Sequence, residues 1–462
     1  MIDLSADWIA AAAGGRIVAG DPEAAGPRRA VVDSRVAGTG DLFVGLPGER
    51  SDGGAFAGAA VAAGAWGVLV RPEHATALGE GSSRPEERGA RVGPLPDAPA
   101  TVIAADDTLA ALQRLAHAWR GELGAAVIGV TGSTGKTSTK DILAALLRPH
   151  LRVHSSRENL NTEVGLPLSI LEAEPGSEVL VLEMAMRGEG QIAELTEIAE
   201  PDVGVIVNVG PVHLELLGTI ERVAAAKAEL IRDLRPGATA VIPASEPLLD
   251  AHRRDDVDTT TFGPGGDVAL LSLDAVTGRA EIEAGEGRLF LEVPYRQPHN
   301  LLNTLAAVAA ARAVGVSPRG RVEVDFSPLR GQEVELPGGV TVVNDCYNAN
   351  PMSMRAALEH LAAAPARRRI AVLGEMAELG PDAARFHVEV AEQAGTAGID
   401  VLVAVGEGAR AYLEAFAGPE SHGVASPEEA GALLERIAGP GDRVLVKGSR
   451  SAGLERVVGD AR

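Results

Sequence analysis

Between Thr131 and Thr139 the chain reads T-G-S-T-G-K-T-S-T, directly after the apolar run Ala125 to Val130 and directly before an apolar helical pattern that continues through Leu147. Glycines let backbone N–H groups turn onto phosphate oxygens, and the N-terminus of the following helix adds the positive end of its dipole. Gly132, Ser133, Thr134, Gly135, Lys136, Thr137 and Ser138 therefore read as a phosphate cradle. Lys136 supplies a point charge near the β and γ phosphates, and Thr137 is placed to hold Mg²⁺. The spacing narrows the class. The longer Walker form needs a glycine five residues before Gly135, where this chain has Val130, so the shorter G-x-x-G-K-T fits a generic GTPase or kinase poorly. A Gly/Ser turn that merely precedes a helix is the plain alternative, and the strand-loop-helix context argues against it.

Three further residues carry chemistry that depends on this neighbourhood. Glu183 ends the apolar strand V-L-V-L, which puts a hard oxygen ligand at the sheet edge where Mg²⁺ would sit; alone it would be an ordinary strand-end acid. His213 follows another apolar strand in V-I-V-N-V-G-P-V-H-L-E, as a metal ligand or as a surface histidine. Lys227 shares one helical face with Val223 and Leu230. A desolvated lysine has a lowered pKa and can act as a nucleophile, so it could add CO₂ and become an anionic carbamate ligand for a second Mg²⁺. A snorkelling side chain is the plainer reading of the periodicity taken alone.

The elements that would position these groups form three blocks. Residues 1–100 contain strand-like Leu42 to Val44 and Trp66 to Val70 around an Ala-rich helix, then a Gly/Ser/Pro/Arg/Glu stretch, Gly79 to Pro99, that reads as a surface loop or linker. Residues 101–315 alternate apolar strands (Val127 to Val130, Val179 to Leu182, Val203 to Val207, Thr239 to Ile242) with helices, which predicts a parallel sheet covered on both faces. Residues 316–462 repeat the alternation at Val340 to Val343, Ile370 to Leu373, Val401 to Val405 and Val444 to Val446. The expected fold class is α/β in three domains: a small N-terminal module, a central P-loop ATPase-like parallel sheet and a C-terminal Rossmann-like domain. Val316 to Gly320, where Pro and Gly interrupt a helix, is the expected hinge.

Composition excludes several classes. The formal charge is −22, from 42 Lys+Arg against 64 Asp+Glu, which repels nucleic acid and anionic membranes, so anionic substrates must be captured locally. Cys346 is the single cysteine, so no intrachain disulfide forms and a reducing compartment is the natural setting. The apolar stretch Trp8 to Ala13 follows Asp3 and Asp7 rather than basic residues, unlike a signal peptide, and no apolar run approaches the roughly 20 residues of a membrane span. A cytoplasmic monomer is expected.

Taken together, the chain resembles the Mur ligases from end to end. The resemblance rests on D-S-R (Asp33 to Arg35), G-D-L-F-V-G-L-P-G-E-R-S-D-G (Gly40 to Gly53), T-G-S-T-G-K-T, N-L-N-T-E-V-G-L-P (Asn159 to Pro167), N-V-G-P-V-H-L-E and A-K-A-E-L (Ala226 to Leu230). It continues through H-N-L-L-N (His299 to Asn303), D-C-Y-N-A-N-P-M-S-M (Asp345 to Met354), L-G-E-M-A-E-L-G (Leu373 to Gly380) and K-G-S-R (Lys447 to Arg450). It implies ATP-driven joining of D-alanyl-D-alanine to UDP-N-acetylmuramoyl-tripeptide in peptidoglycan precursor synthesis. Lys136 and Thr137 would bind ATP phosphates and one Mg²⁺ with Glu183, while His213 and carbamylated Lys227 would hold a second. Asn300 and Asn303 resemble adenine contacts, Asp345 a ribose-side contact, and Arg330 in P-L-R-G-Q-E the arginine offered to the γ-phosphate. Ser34, Arg35 and the Asp41 to Gly53 loop would recognise the uridine diphosphate sugar. Asn159, Asn161 and Thr162 would face that substrate, with Tyr347, Asn348, Asn350 and Arg450 on the third domain's side. Two positions depart from the family pattern: Gly54-Ala55 stand where His-Asp is usual, and Pro243 where Asn is common.

Two rivals remain at this level. Another amide ligase of the same type, adding a third-position diamino acid or glutamates to a folate, would keep the cradle and Lys227 but take a different amine; D-C-Y-N-A-N-P-M-S-M argues against it. A P-loop ATPase or nucleotide-dependent regulator would leave D-S-R and H-N-L-L-N unexplained.

Overall fold

A computed structural model describes residues 1, 3–79, 100–157 and 159–458 as three α/β sheets in succession. The linker reading of Gly79 to Pro99 falls, beyond Gly79, outside the described residues.

The first sheet runs Arg16–Ala19, Thr101–Ala104, Gly67–Val70, Asp41–Val44, Arg29–Val31, parallel except for its first pair. The sequence blocks place Thr101–Ala104 at the start of the middle region. The pairing of Val68 with Val102 returns it to the first sheet. The sheet's Leu42, Val44, Leu69 and Ile103 pack into the same apolar cluster as Leu112 and Leu115 of helix Thr108–Leu123, so the first two regions share a core.

The middle sheet has ten strands, and the six that matter here are all parallel: Val153–Ser155, Val179–Glu183, Ala126–Thr131, Val203–Ile206, Thr239–Pro243 and Asp258–Phe262. Period-two alternation explains their continuous apolarity, since each strand is covered twice. Val127, Leu180 and Leu182 face one helical layer, whereas Ile128, Val130, Val179 and Val181 face the other, formed by Lys136–Leu147 and Pro298–Ala313. Each such fully buried aliphatic side chain contributes about 1.5–3 kcal/mol. An antiparallel meander, Val268–Leu273, Arg279–Ala284 and Gly287–Glu292, extends this sheet beyond the strands that the sequence predicts.

Gly320–Arg321 also joins the middle sheet, beside Leu291 and Glu292, and Asp141 accepts from both the backbone N–H and the hydroxyl of Ser327 at 2.9 Å. The expected hinge at Val316 to Gly320 is therefore tied down. The chain instead leaves the middle region between Ser327 and Gln332, where Leu329 has φ +61° and Gly331 φ +74°. We propose domain limits near residues 105 and 327 in place of 100 and 315.

The third sheet runs Gln332–Leu336, Val340–Asn344, Arg443–Lys447, Arg369–Leu373, Val401–Val405, Glu420–Val424, parallel after its first pair. Among the described residues no helix is long and apolar enough to cross a membrane.

Candidate active site

Strand ends build the first wall of the site. In the register of the middle sheet Glu183 lies opposite Val130, one residue before the phosphate loop begins. The Thr137 hydroxyl donates to Glu183 Oε2 at 2.8 Å and the Asn161 amide donates to Oε1 at 2.8 Å, so this carboxylate is held on both oxygens. Thr137 and Glu183 are both buried. Gly132 (φ +158°) and Gly135 (φ +75°) give the loop its curvature, and Gly135 caps helix Lys136–Leu147. Lys136 donates from Nζ to the Gly132 carbonyl at 2.8 Å. Burial pushes its pKa down, Glu183 opposes that shift and Arg330 adds to it.

Beside the cradle runs the loop 207–213. Asn208 accepts from the Thr134 N–H at 2.9 Å and donates back to the Thr134 carbonyl at 3.1 Å, while Gly210 N–H donates to the Ser133 hydroxyl at 2.8 Å. The loop ends at His213, in left-handed conformation (φ +53°), whose Nδ1 lies 2.5 Å from Glu378 Oε2 of the third domain. Hydrogen bonding to His213 holds the Glu378 carboxyl below its ordinary range, and the contact engages Nδ1 of the ring rather than Nε2.

Helix Ile220–Asp233, capped by Thr219, carries Lys227 with 2% of its surface exposed. Among the described residues no hydrogen bond or ion pair reaches its ammonium. Burial, reinforced by nearby Lys136, lowers its pKa well below the lysine value. Burial of the side chain argues against the snorkelling alternative.

The second wall comes from the third sheet. Asp345 follows strand Val340–Asn344, and Lys447 at the end of the adjacent strand donates to Asp345 Oδ2 at 2.7 Å and to the Asn348 carbonyl at 2.9 Å. The Arg330 guanidinium stacks over Tyr347, 4.1 Å from the ring centroid. Asn350 lines the cavity but its Oδ1 caps helix Pro351–Ala363 by accepting from Ser353 N–H, a structural duty the sequence reading had not given it.

Both walls close on one cavity of about 1040 Å³. It gathers Lys136, Thr137, Glu183 and His213 with Asn159, Asn161 and Thr162 and, from the far side, Arg330, Asp345, Tyr347, Asn348 and Arg450. Asn300 and Asn303 also line it, but Asn303 packs against Gly135, where a Cβ would stand 2.7 Å from its Oδ1, so it supports the phosphate loop as well. Lys227 lies behind the lining rather than in it.

The first-domain residues are not brought to this cavity. Ser34 and Arg35 follow strand Arg29–Val31, and Arg35 forms a bidentate pair with Asp33. Asp41, the start of the expected recognition loop, is a buried strand residue that accepts from Arg29 at 3.0 Å and from Gly38 N–H at 3.0 Å, so its role is structural. At Gly54 any side chain would collide with the His74 imidazole, which explains the glycine there. His299, Glu378 and Lys447 line the cavity without a role from the sequence reading. Lys447 carried a legible signal, since V-L-V-K ends in a charge just as V-L-V-L-E does.

Residues 130–311 match the Mur ligase middle domain, and residues 329–450 match the Mur ligase, glutamate ligase domain. A UDP-N-acetylmuramoyl-tripeptide–D-alanyl-D-alanine ligase of Synechocystis sp. is 37% identical over 443 residues, 92% of this chain and 90% of that protein. Among solved structures, MurF from Acinetobacter baumannii superposes with a TM-score of 0.83 at 28% identity, covering 99% of this chain and 98% of the other. MurF ligase from Thermotoga maritima in complex with ADP gives 0.76 at 33% identity, covering 93% and 96%.

Proposed function

The chain belongs to the Mur ligase family, and on that premise we propose that it joins D-alanyl-D-alanine to UDP-N-acetylmuramoyl-tripeptide at the expense of ATP. The product is the pentapeptide precursor of peptidoglycan. What carries this reading is the full-length likeness to the Synechocystis ligase, together with a phosphate cradle that faces a third-domain wall across one cavity.

A carboxylate is a poor electrophile. Its oxygen attacks the γ-phosphorus of ATP, ADP departs, and the resulting acyl phosphate is attacked by the dipeptide amine; phosphate then leaves from the tetrahedral intermediate. Lys136 and the N–H groups of the phosphate loop neutralise charge that grows on the migrating phosphoryl group, so catalysis is positioning and electrostatics with no protein nucleophile. Arg330, stacked on Tyr347 and close enough to influence Lys136, adds a cation from the third domain.

The donor set fits divalent cations: the Thr137 hydroxyl and Glu183 carboxylate are hard oxygens 2.8 Å apart, and the buried, unpaired Lys227 amine suits conversion to a carbamate. Mg²⁺ at Thr137 and Glu183, and a second at His213 and carbamylated Lys227, would supply further charge neutralisation at the phosphates. Asn300, Asn303 and Asp345 would hold the nucleoside, and Ser34, Arg35 and the loop from Gly45 the uridine end. Asn159, Asn161 and Thr162, with Tyr347, Asn348 and Arg450, would position the peptide. The third domain would exclude water from the acyl phosphate. The single buried Cys346 supports a reducing cytoplasm.

Purified protein with ATP, Mg²⁺ and the UDP-muramoyl-tripeptide should release phosphate only when D-alanyl-D-alanine is added. Release without the dipeptide, or equal release with unrelated amino acids, would reject the reading.

A further inference from the structure

We infer that Glu378 is a positioning residue for the second metal site, so that this site is complete only when the third domain is docked. The inference rests on the metal assignment proposed for His213 and Lys227.

Three observations carry it. First, a histidine that ligates a metal through one ring nitrogen usually donates from the other to a carboxylate, which fixes tautomer and ring orientation. Glu378 Oε2 stands 2.5 Å from His213 Nδ1, which leaves Nε2 as the ligating atom, yet this carboxylate belongs to a different domain from the histidine it orients. Second, both partners hold left-handed backbone conformations, φ +53° at His213 and φ +62° at Glu378. Non-glycine residues rarely adopt these, and such strain persists where surrounding structure enforces it, often at functional sites. Third, the loop that ends in His213 is clamped to the phosphate cradle at Ser133 and Thr134 and meets the third domain twice more. Met352 occupies the space a side chain at Gly210 would need, and Glu215 N–H donates to the Glu378 carbonyl at 3.4 Å. Arg187, 3.4 Å from Glu378 Oε1, occupies the other carboxylate oxygen and leaves Oε2 to the imidazole.

One short loop thus joins the phosphate cradle, through Ser133 and Thr134, to His213 and the third-domain wall. Undocking the third domain withdraws the carboxylate, frees the His213 ring to rotate, and weakens the second metal while the Thr137–Glu183 site, built within the middle sheet, keeps its geometry.

Mn²⁺ binding to the ADP-loaded protein, followed by electron paramagnetic resonance, separates the two sites. The wild type should bind two Mn²⁺. Glu378→Ala should weaken the second by about ten- to a hundredfold and leave the first unchanged. Glu378→Gln, whose amide oxygen still accepts from Nδ1, should recover part of that loss. Unchanged second-site affinity in Glu378→Ala, equal weakening of both sites, or a Gln variant no better than Ala would overturn the inference. A wild type that binds one Mn²⁺ but releases phosphate only with the dipeptide would overturn it and leave the ligase reading standing. Two Mn²⁺ without dipeptide-dependent release would do the reverse.

Discussion

The two walls of the cavity are each rigid within themselves and are joined by strained residues. On the middle-domain wall, Thr137 and Asn161 each donate to Glu183 at 2.8 Å, and Glu183 ends a strand of the middle sheet's parallel part. The third-domain wall is locked separately, with Lys447 gripping Asp345 and the Asn348 carbonyl. The junction differs. Among the described residues, four non-glycine positions have positive φ, and three of them, His213, Leu329 and Glu378, lie where the two walls meet. Strain of this kind costs on the order of 1–3 kcal/mol per residue. Preorganisation is thus divided: each half of the site is held within its own domain, and the strained residues lie at the joint between them.

Substitutions on each wall test that contrast. The largest effect is expected inside the middle wall. Lys227→Met should lower kcat by about a hundredfold or more, because it removes the amine on which the proposed carbamate ligand would form. It should also raise the thermal midpoint by about 2–4 °C, since it removes an unpaired buried cation. The sign follows from linkage. The folded-state pKa of Lys227 is depressed, so the unfolded chain binds the proton more readily, and wild-type stability climbs as pH rises from the folded value toward 10.5. The variant should lose that part of the slope in pH-dependent melting curves. A variant that melts no higher than the wild type would contradict the burial argument.

An intermediate effect is expected on the third-domain wall. Lys447→Met leaves Asp345 facing the cleft without its cation and should cost about 2–3 kcal/mol. That is less than a fully buried pair would give, because Asp345 keeps a quarter of its side chain exposed. KM for ATP should rise more than kcat falls, since the lysine holds the Asp345 loop rather than the reacting phosphoryl group. A purely kcat effect would place Lys447 in the chemistry instead. The smallest effect belongs to the first domain. Arg35→Ala should raise KM for the UDP-linked substrate no more than a few-fold and leave kcat alone, because Arg35 is exposed and its guanidinium is already engaged by Asp33. A large loss of kcat would mean that the first domain shapes the reacting centre.

Much of this was legible in the sequence, and the reason is local. Continuous apolar strands ending in a charge placed Glu183, and the glycine pattern placed the cradle, because both depend on a few neighbouring residues and on the general rule that α/β sheets bind ligands at strand carboxyl ends. The same signal was available for Lys447 in V-L-V-K. What escaped depends on contacts between distant segments. Glu378 meets His213 across 165 residues of chain, Thr101–Ala104 returns to pair with a strand more than thirty residues earlier, and Asp141 ties down Ser327. No periodicity announces such meetings. The cap that Asn350 places on Ser353 escaped for the opposite reason: it is local, but the substrate role inferred by likeness overshadowed it.

The activation proposed for the acid is direct transfer of the γ-phosphoryl group within this cavity. Tripeptide substrate carrying ¹⁸O in its terminal carboxylate gives the most direct reading. Mass analysis of the phosphate released during turnover with D-alanyl-D-alanine should find one ¹⁸O atom per phosphate, carried over from the acyl phosphate bridge. Phosphate free of the label, formed while the amide product accumulates, would contradict the account.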